Sequence, residues 1–571
     1  MPNGNTIPPE VLRERILSDD YLDLIVQYYN SPEQFLRLYD LLSPEIISYK
    51  YAILHIPITG QTPFVNLSEY NYSYIPKLFT PLDTTSLEAS GILRTQNQPI
   101  LNLTGQGILL GFIDTGIEYT HSAFRNSDGT SKILSIWDQT IQDGLPPINF
   151  TYGTEYTKEQ IDEALRSDQP LEIVPSTDTD GHGTFIAGVA GGSAVPNEDF
   201  IGVAPGSTLA IVKLKEAKQN LKDFFMIIGD APAYQETDIM QGVRYLLQVA
   251  RANALPLVIC IALGTNQGGH SGFTPLSEIL EDAISTPNIN CVVAAGNEAG
   301  MSHHFYGNIS GEGDFEDVEI MSGTDASFSL ELWGQAPELY SVAITSPIGE
   351  IVPQIPARLE ESQVITFILE KTVIYIDYEV IERRSGSQII LMRFKDPTPG
   401  VWRIRVFCNN HISGVYNLWL PITGFIPKDT VFLRPNPDIT LTIPATAEGV
   451  LTTSTYSAYD GSIFINSSRG YTRTGYISPD IAAPGVDLYG PRLNNGFTHR
   501  TGSSGAAAIT TGAIALILNW GLVANRNRLY SSREIRNLII RGADRSPELL
   551  YPNREWGYGK LNVYHIFETL M

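Results

Sequence analysis

Four residues far apart in the chain are of the types that together can break an amide bond: Asp114, His182, Asn297 and Ser504. Each sits in a distinctive local pattern. Asp114 ends the apolar run GILLGFIDTG, and His182 lies in DTDGHGTFIAGVAGG, just ahead of a small-residue helix. Asn297 follows the strand-like CVVAAGN, and Ser504 opens RTGSSGAAAITTGAIAL, which reads as a buried helix. A serine hydroxyl is a weak nucleophile until a base removes its proton. A histidine can take that proton during attack and return it to the leaving amine. A carboxylate on the far ring nitrogen fixes the tautomer and stabilises the imidazolium. The oxyanion of the tetrahedral intermediate needs donors placed in advance, and the Asn297 amide with the Ser504 N–H would serve, helped by the dipole of the helix that follows.

These residues need a rigid frame. The strands GILLGFIDTG, STLAIVKLK, LPLVICIALG and NCVVAAGN alternate with helical stretches such as TDIMQGVRYLLQVARAN and LSEILEDAIS. Continuous apolar strands alternating with helices indicate an α/β domain, a parallel sheet covered on both faces. In such sheets, active residues gather at the carboxyl ends of the strands. Between about 310 and 440 the pattern becomes antiparallel: FSLELW, TVIYIDYEVI, GVWRIRVF and GVYNLWLP alternate strongly, with turn residues between them. A β-sandwich or jelly-roll insert is expected there. It carries no cluster of acid, base and nucleophile, so its expected role is structural or partner-binding, with bracing foremost.

Residues 1–97 read as a separate α+β unit. VLRERILSDDYLDLIVQYY and PEQFLRLYDLL have helical apolar spacing, and YKYAILHIPI reads as a strand. Ala52, Leu54 and Ile56 form its inner face, which leaves His55 on the other face as a surface or edge residue. TPLDTTSLEASGILRTQNQP reads as an exposed connector. The expected domains are 1–97, then 98–309 with 441–571, and the insert at 310–440.

The order Asp, His, Asn, Ser in the motifs I-D-T-G, G-H-G-T and A-A-G-N, with the approach segment SSRGYTRTGYISPDIAAPG, resembles the subtilisin-like (subtilase) serine proteases. The resemblance spans about 105 to 570 apart from the insert. It implies a three-layer subtilisin-like domain and an endopeptidase. Asp114 would be the orienting carboxylate, His182 the acid/base, Ser504 the nucleophile and Asn297 the oxyanion donor. It further implies that Ala262, Leu263 and Gly264 pair with an extended substrate, and that Ala294, Ala295 and Gly296 line the S1 pocket, which takes the side chain before the cleaved bond (the P1 residue). Ser503 stands where the family has Thr, Ala508 replaces a common proline, and Ala262 a common serine. Within the family the chain is most similar to the Csp germination proteases of clostridia. That likeness implies a zymogen whose residues 1–97 act as chaperone and inhibitor, with self-cleavage expected around Ser90 to Gln98. It also implies activation of another protein by limited proteolysis in spore germination. The alternative is a pseudoprotease that senses or scaffolds a partner without cutting it.

The remaining features mostly exclude. A net charge of -24 repels phosphate backbones, so nucleic acid is not an expected partner. The expected partners are a protein or peptide substrate and the chain's own prodomain, in a monomer. No D-x-D-x-D-G loop appears; no cofactor is expected and no metal site is assigned, structural calcium being left open. Three cysteines form no disulfide framework, and Cys260 and Cys291 read as small buried hydrophobes. The N-terminus does not read as a secretory signal, and no run reads as a membrane span. Cytoplasmic synthesis is expected, with spore association or export by another route. Among the other histidines, His121 is expected beside the Asp114 loop and His303 and His304 at the surface or the substrate rim. His270, His411, His499 and His565 have no evident partner. Asp178 and Asp180 read equally as S2-shaping charges or as a solvated loop.

Overall fold

The longest apolar runs become neighbours in one eight-stranded sheet. Its order is Ile481–Pro484, Leu451–Tyr456, Ile289–Ala294, Leu257–Ile261, Leu109–Asp114, Thr208–Lys213, Ile133–Asp138 and Thr154–Thr157. Every pairing is parallel except the last. The structure is a computed structural model and describes residues 8–39, 42, 44–58, 70–82, 103–227, 231–324, 327–358, 361–524 and 528–568.

The strands are apolar throughout because both faces are covered. Leu110, Phe112, Val258, Cys260 and Val292 share one core with Phe185, Ile186, Ala506 and Ala507, from the helices His182–Gly191 and Ser503–Ala524. Their sequence neighbours Leu109, Ile113, Leu257, Ile259 and Val293 share a second core with Ile239, Val243, Leu276 and Ile279. Those come from the helices Glu236–Ala252 and Pro275–Ile284. This is the three-layer subtilisin-like arrangement expected. Ser503–Leu522 is long and apolar enough to cross a membrane, yet it is the buried central helix of the first layer.

The insert is a sandwich of a six-stranded and a five-stranded antiparallel sheet around its own apolar core. Its strands run from His304–Asn308 to Val431–Phe432, so the first begins ahead of residue 310.

In the N-terminal unit, one expectation is overturned. Tyr21–Gln27 is a strand, not the continuation of the helix Pro9–Leu17. It pairs antiparallel along its whole length with Tyr51–Pro57, the central strand of a three-stranded sheet. Helical spacing of Leu, Ile and Val loses here to pairing that buries both faces. Ala52 and Leu54 pack with Tyr28 and Phe35. Ile25, Tyr51 and Ile53 join the second core of the large domain.

His55 is therefore not a surface or edge residue; it is 1% exposed, at the joint between the two units. Its Nδ1 lies 2.7 Å from Asp23 Oδ1 and its Nε2 3.3 Å from Glu45 Oε2. Across the joint, Lys218 Nζ reaches Asp23 Oδ1 at 2.7 Å and Gln235 Nε2 donates to Asp23 Oδ2 at 2.7 Å. Lys218 also donates to the Arg15 and Tyr21 carbonyls. Burial opposes charge on the His55 ring, but the Asp23 and Glu45 carboxylates outweigh it and hold its pKa above the usual value. Burial pushes the Asp23 carboxyl up, but Lys218 and His55 outweigh it and hold Asp23 below the usual carboxylate range.

A raised histidine pKa stabilises in full below the unfolded value of about 6.5 and is lost as pH rises through the folded value. Thermal unfolding of wild type and His55→Gln, measured from pH 6 to 9, is expected to show the largest gap at the acidic end and a shrinking gap above it.

Candidate active site

Four elements of the fold deliver the four reactive side chains to one place. Asp114 ends the central strand Leu109–Asp114. His182 opens its helix after Gly181, whose φ of 88° makes the turn that a side chain would strain. Asn297 follows the strand Ile289–Ala294, and Ser504 sits in the first turn of Ser503–Ala524. His182 Nδ1 lies 2.7 Å from Asp114 Oδ1, and Nε2 lies 2.9 Å from Ser504 Oγ. Asp114, His182 and Ser504 are all buried. The ring can therefore accept the Ser504 proton on one nitrogen while the carboxylate holds the other N–H.

A shell of polar groups fixes this geometry. Asp178 is buried, not a solvated loop residue. Its carboxylate accepts from Thr115 Oγ1, from the backbone N–H of Asp180, Gly181 and Thr184, and from Thr184 Oγ1. Thr115 in turn accepts the Gly183 N–H at 2.9 Å and donates its own N–H to Asp114 Oδ1 at 2.7 Å. Asp178 thus ties the start of the histidine helix to the aspartate loop. The two candidate serines are also separated. Ser503 Oγ accepts the Gly296 N–H, and the Ser503 N–H donates to Asn297 Oδ1 at 3.0 Å. That bond leaves Asn297 Nδ2 to donate elsewhere, to the carbonyl of Leu82. Ser468 donates its N–H to the Gly296 carbonyl and accepts the Glu298 N–H, bracketing the asparagine.

The cleft is already filled by the chain itself. Leu78–Pro81 forms the middle strand of a three-stranded sheet, between Leu263–Gly264 and Tyr234–Gln235. Thr80 pairs with Gly264, Pro81 with Leu263, and the Leu82 N–H donates to the Ala262 carbonyl at 3.2 Å. The Leu82 carbonyl oxygen then accepts from Asn297 Nδ2 at 2.9 Å and lies 2.7 Å from Ser504 Oγ. With a C=O bond of about 1.23 Å, the Leu82 carbonyl carbon is within about 3.9 Å of that hydroxyl.

Ala262, Leu263 and Gly264 thus lie where the sequence placed them, along an extended peptide. Ala294, Ala295 and Gly296 are buried beside Asn297. Sequence reasoning missed Thr442, which packs between Gly264 and Gly296 and donates its N–H to the Ala295 carbonyl. It lies beyond the insert and belongs to no motif. Among the histidines, His121 is buried near the Asp114 loop, bonded to the Gly496 carbonyl. His303 and His304 are buried, contrary to expectation. His303 pairs with Glu298 at 2.7 Å, and His304 stacks on Trp419. His270 stacks against the same Trp419 and bonds to the Leu441 and Asn266 carbonyls.

Comparison with known proteins agrees with this architecture. The Subtilase family profile matches residues 105–330 and 433–559, more than half of the chain. The chain belongs to the subtilase family. Relatives include C5a peptidases of Streptococcus pyogenes, one of them 22% identical over 436 residues, covering 72% of this chain and 35% of its own length. The chain thus spans about a third of the length of those subtilases. The subtilisin-like protease SBT3.4 of Arabidopsis thaliana is 22% identical over 528 residues, covering 80% of this chain and 63% of its own. The solved CspB protease of Clostridium perfringens is 31% identical with a TM-score of 0.75, covering 84% of this chain and 96% of its own. That likeness runs through the N-terminal unit or the insert as well as the subtilase domain, since the family profile alone covers less of the chain.

Removing the Asp178 carboxylate strands several buried donors, each costing about 1–3 kcal/mol. Asp178→Ala is expected to lower unfolding free energy by about 3 kcal/mol or more in urea titrations, while Ala at exposed Asp180 changes it by less than about 1 kcal/mol.

Proposed function

We propose that this protein is a serine endopeptidase made as a self-processing zymogen, with Leu82–Asp83 as its first substrate bond. The observation that carries this reading is the Leu82 carbonyl, held 2.9 Å from Asn297 Nδ2 and 2.7 Å from Ser504 Oγ. In the proposed reaction, Ser504 Oγ attacks the Leu82 carbonyl carbon and its proton passes to His182 Nε2. Asp114 keeps the other ring nitrogen protonated and stabilises the imidazolium. Asn297 Nδ2 stabilises the oxyanion. His182 then gives the proton to the Asp83 nitrogen as the peptide bond breaks. Water, activated by the same ring, releases Leu82 from the acyl-enzyme.

The bond favoured by this geometry precedes the span Ser90 to Gln98 expected from sequence, which lies outside the described residues. The N-terminal unit would remain as an inhibitor, because its tail occupies the cleft and its sheet is joined to the large domain through Asp23, His55 and Lys218. The insert supports retention. Glu331 accepts from Tyr72 Oη at 2.5 Å, Glu379 accepts the Tyr72 N–H at 3.0 Å, and Arg384 bonds to Tyr51 Oη. Bracing of the tail is thus its proposed role. The resemblance to Csp-type proteases supports limited proteolysis of a protein partner in spore germination as the wider role.

Intact-mass analysis and N-terminal sequencing test this directly. Wild type is expected to yield a fragment beginning at Asp83, and Ser504→Ala to stay full length. Asn297→Ala should be cut about 10²–10³-fold more slowly, the usual effect of losing one oxyanion donor. Full-length mass in the wild type would refute the proposal.

A further inference from the structure

The tail in the cleft carries information about substrate choice, because the pockets that hold it are built from identifiable residues. From Leu78 to Leu82 every side chain but Pro81 is buried, and two of them enter apolar clusters beside the reacting bond and three residues before it. Leu82 is 3% exposed and Phe79 is 0% exposed. Leu82 belongs to the apolar cluster that includes Ala262 and Ala294. Phe79, three residues earlier, belongs to the other cluster, with Tyr234, Ile239 and Leu263.

The pocket around Leu82 has a defined depth. A Cβ placed on Gly264 would stand 2.9 Å from Leu82 Cδ1, 2.9 Å from Thr442 Cβ and 2.5 Å from Thr442 Oγ1. Glycine at 264 therefore opens the space that the leucine tip uses, and Thr442 bounds it. Thr442 is held in place by its own side chain, whose Oγ1 donates to the Ala295 carbonyl at 3.3 Å, and by its N–H, bonded to the same carbonyl. None of these wall residues is charged, so a lysine or glutamate side chain would lose its hydration without a partner. A phenylalanine would be too long for the floor that Thr442 makes.

Pro81, the residue just before the leucine, is selected by backbone geometry. In an antiparallel ladder, hydrogen-bonded and non-hydrogen-bonded pairs alternate. Leu82 donates its N–H to Ala262, so Pro81, opposite Leu263, falls at a non-hydrogen-bonded pair. A proline costs no ladder bond there, and its fixed φ reduces the entropy lost on binding an extended chain.

We infer that the enzyme cuts after leucine in extended segments patterned on Phe79-Thr80-Pro81-Leu82, and that Gly264 and Thr442 set the size limit for the leucine pocket. This deepens the endopeptidase reading and rests on it. One methylene more or less in such a pocket changes discrimination by about 10–200-fold.

The test follows self-processing of the full-length chain by mass spectrometry over time. Leu82→Met is expected to process within about threefold of wild type, while Leu82→Lys and Leu82→Phe slow at least tenfold. Phe79→Asp should also slow at least tenfold. The decisive chain combines Leu82→Phe with Thr442→Ala. Shortening the floor should bring processing back to within about threefold of wild type, a recovery that a misfolded variant would not show. Wild-type rates in Leu82→Lys or Leu82→Phe, or no recovery in the double variant, overturn the inference. If wild type is cut elsewhere, this inference falls and the endopeptidase reading stands. If wild type stays intact, both fall.

Discussion

The contact between His182 Nδ1 and Asp114 Oδ1, 2.7 Å long and closed to solvent, constrains most of what surrounds it. Its length fixes the ring plane, and the ring plane decides whether Nε2 can meet the Ser504 hydroxyl. The strand that carries Asp114 and the helix that carries His182 must therefore be held to a fraction of an ångström. The central parallel strand supplies one anchor and the small-residue helices beside it the other. Asp178 and Thr115 join the two by hydrogen bonds.

Much of this was legible in the sequence because the constraint leaves chemical marks. A carboxylate at the end of an apolar strand, a histidine between glycines and a serine opening an alanine-rich helix are all consequences of packing reactive groups inside a core. The apolar strands announced a two-sided sheet for the same reason. What could not be read came from contacts between distant segments. Tyr21–Gln27 has the spacing of a helix and becomes a strand because Tyr51–Pro57 pairs with it. His55 looks exposed until its strand gains a neighbour on each side and a domain over its second face. Thr442 reaches Ala295 only because the insert leaves and re-enters the large domain at nearby points.

The three parts of the chain are consequently not independent. Gln235 lines the cleft strand and also holds Asp23 of the N-terminal sheet. Glu331 of the insert accepts from Tyr72 of the tail and from the Gly268 N–H of the subtilase domain. Lys77, buried in the tail, donates to the Tyr72 and Ile75 carbonyls and lies over the Tyr72 ring, which closes the same junction from within. A polar network shared by three parts couples their stabilities, because removing one part leaves buried groups of the other two without partners.

The middle strand of the cleft is flanked on both sides, by Leu263–Gly264 and by Tyr234–Gln235. A target taking the place of that strand in the proposed reaction would have to offer a stretch of backbone with neither edge already engaged. Helices cannot do this, and strands inside a finished sheet cannot either. Under the proposed function, the cleft would filter other proteins by architecture, admitting tails, linkers and long loops and turning away well-knit domains whatever residues they contain.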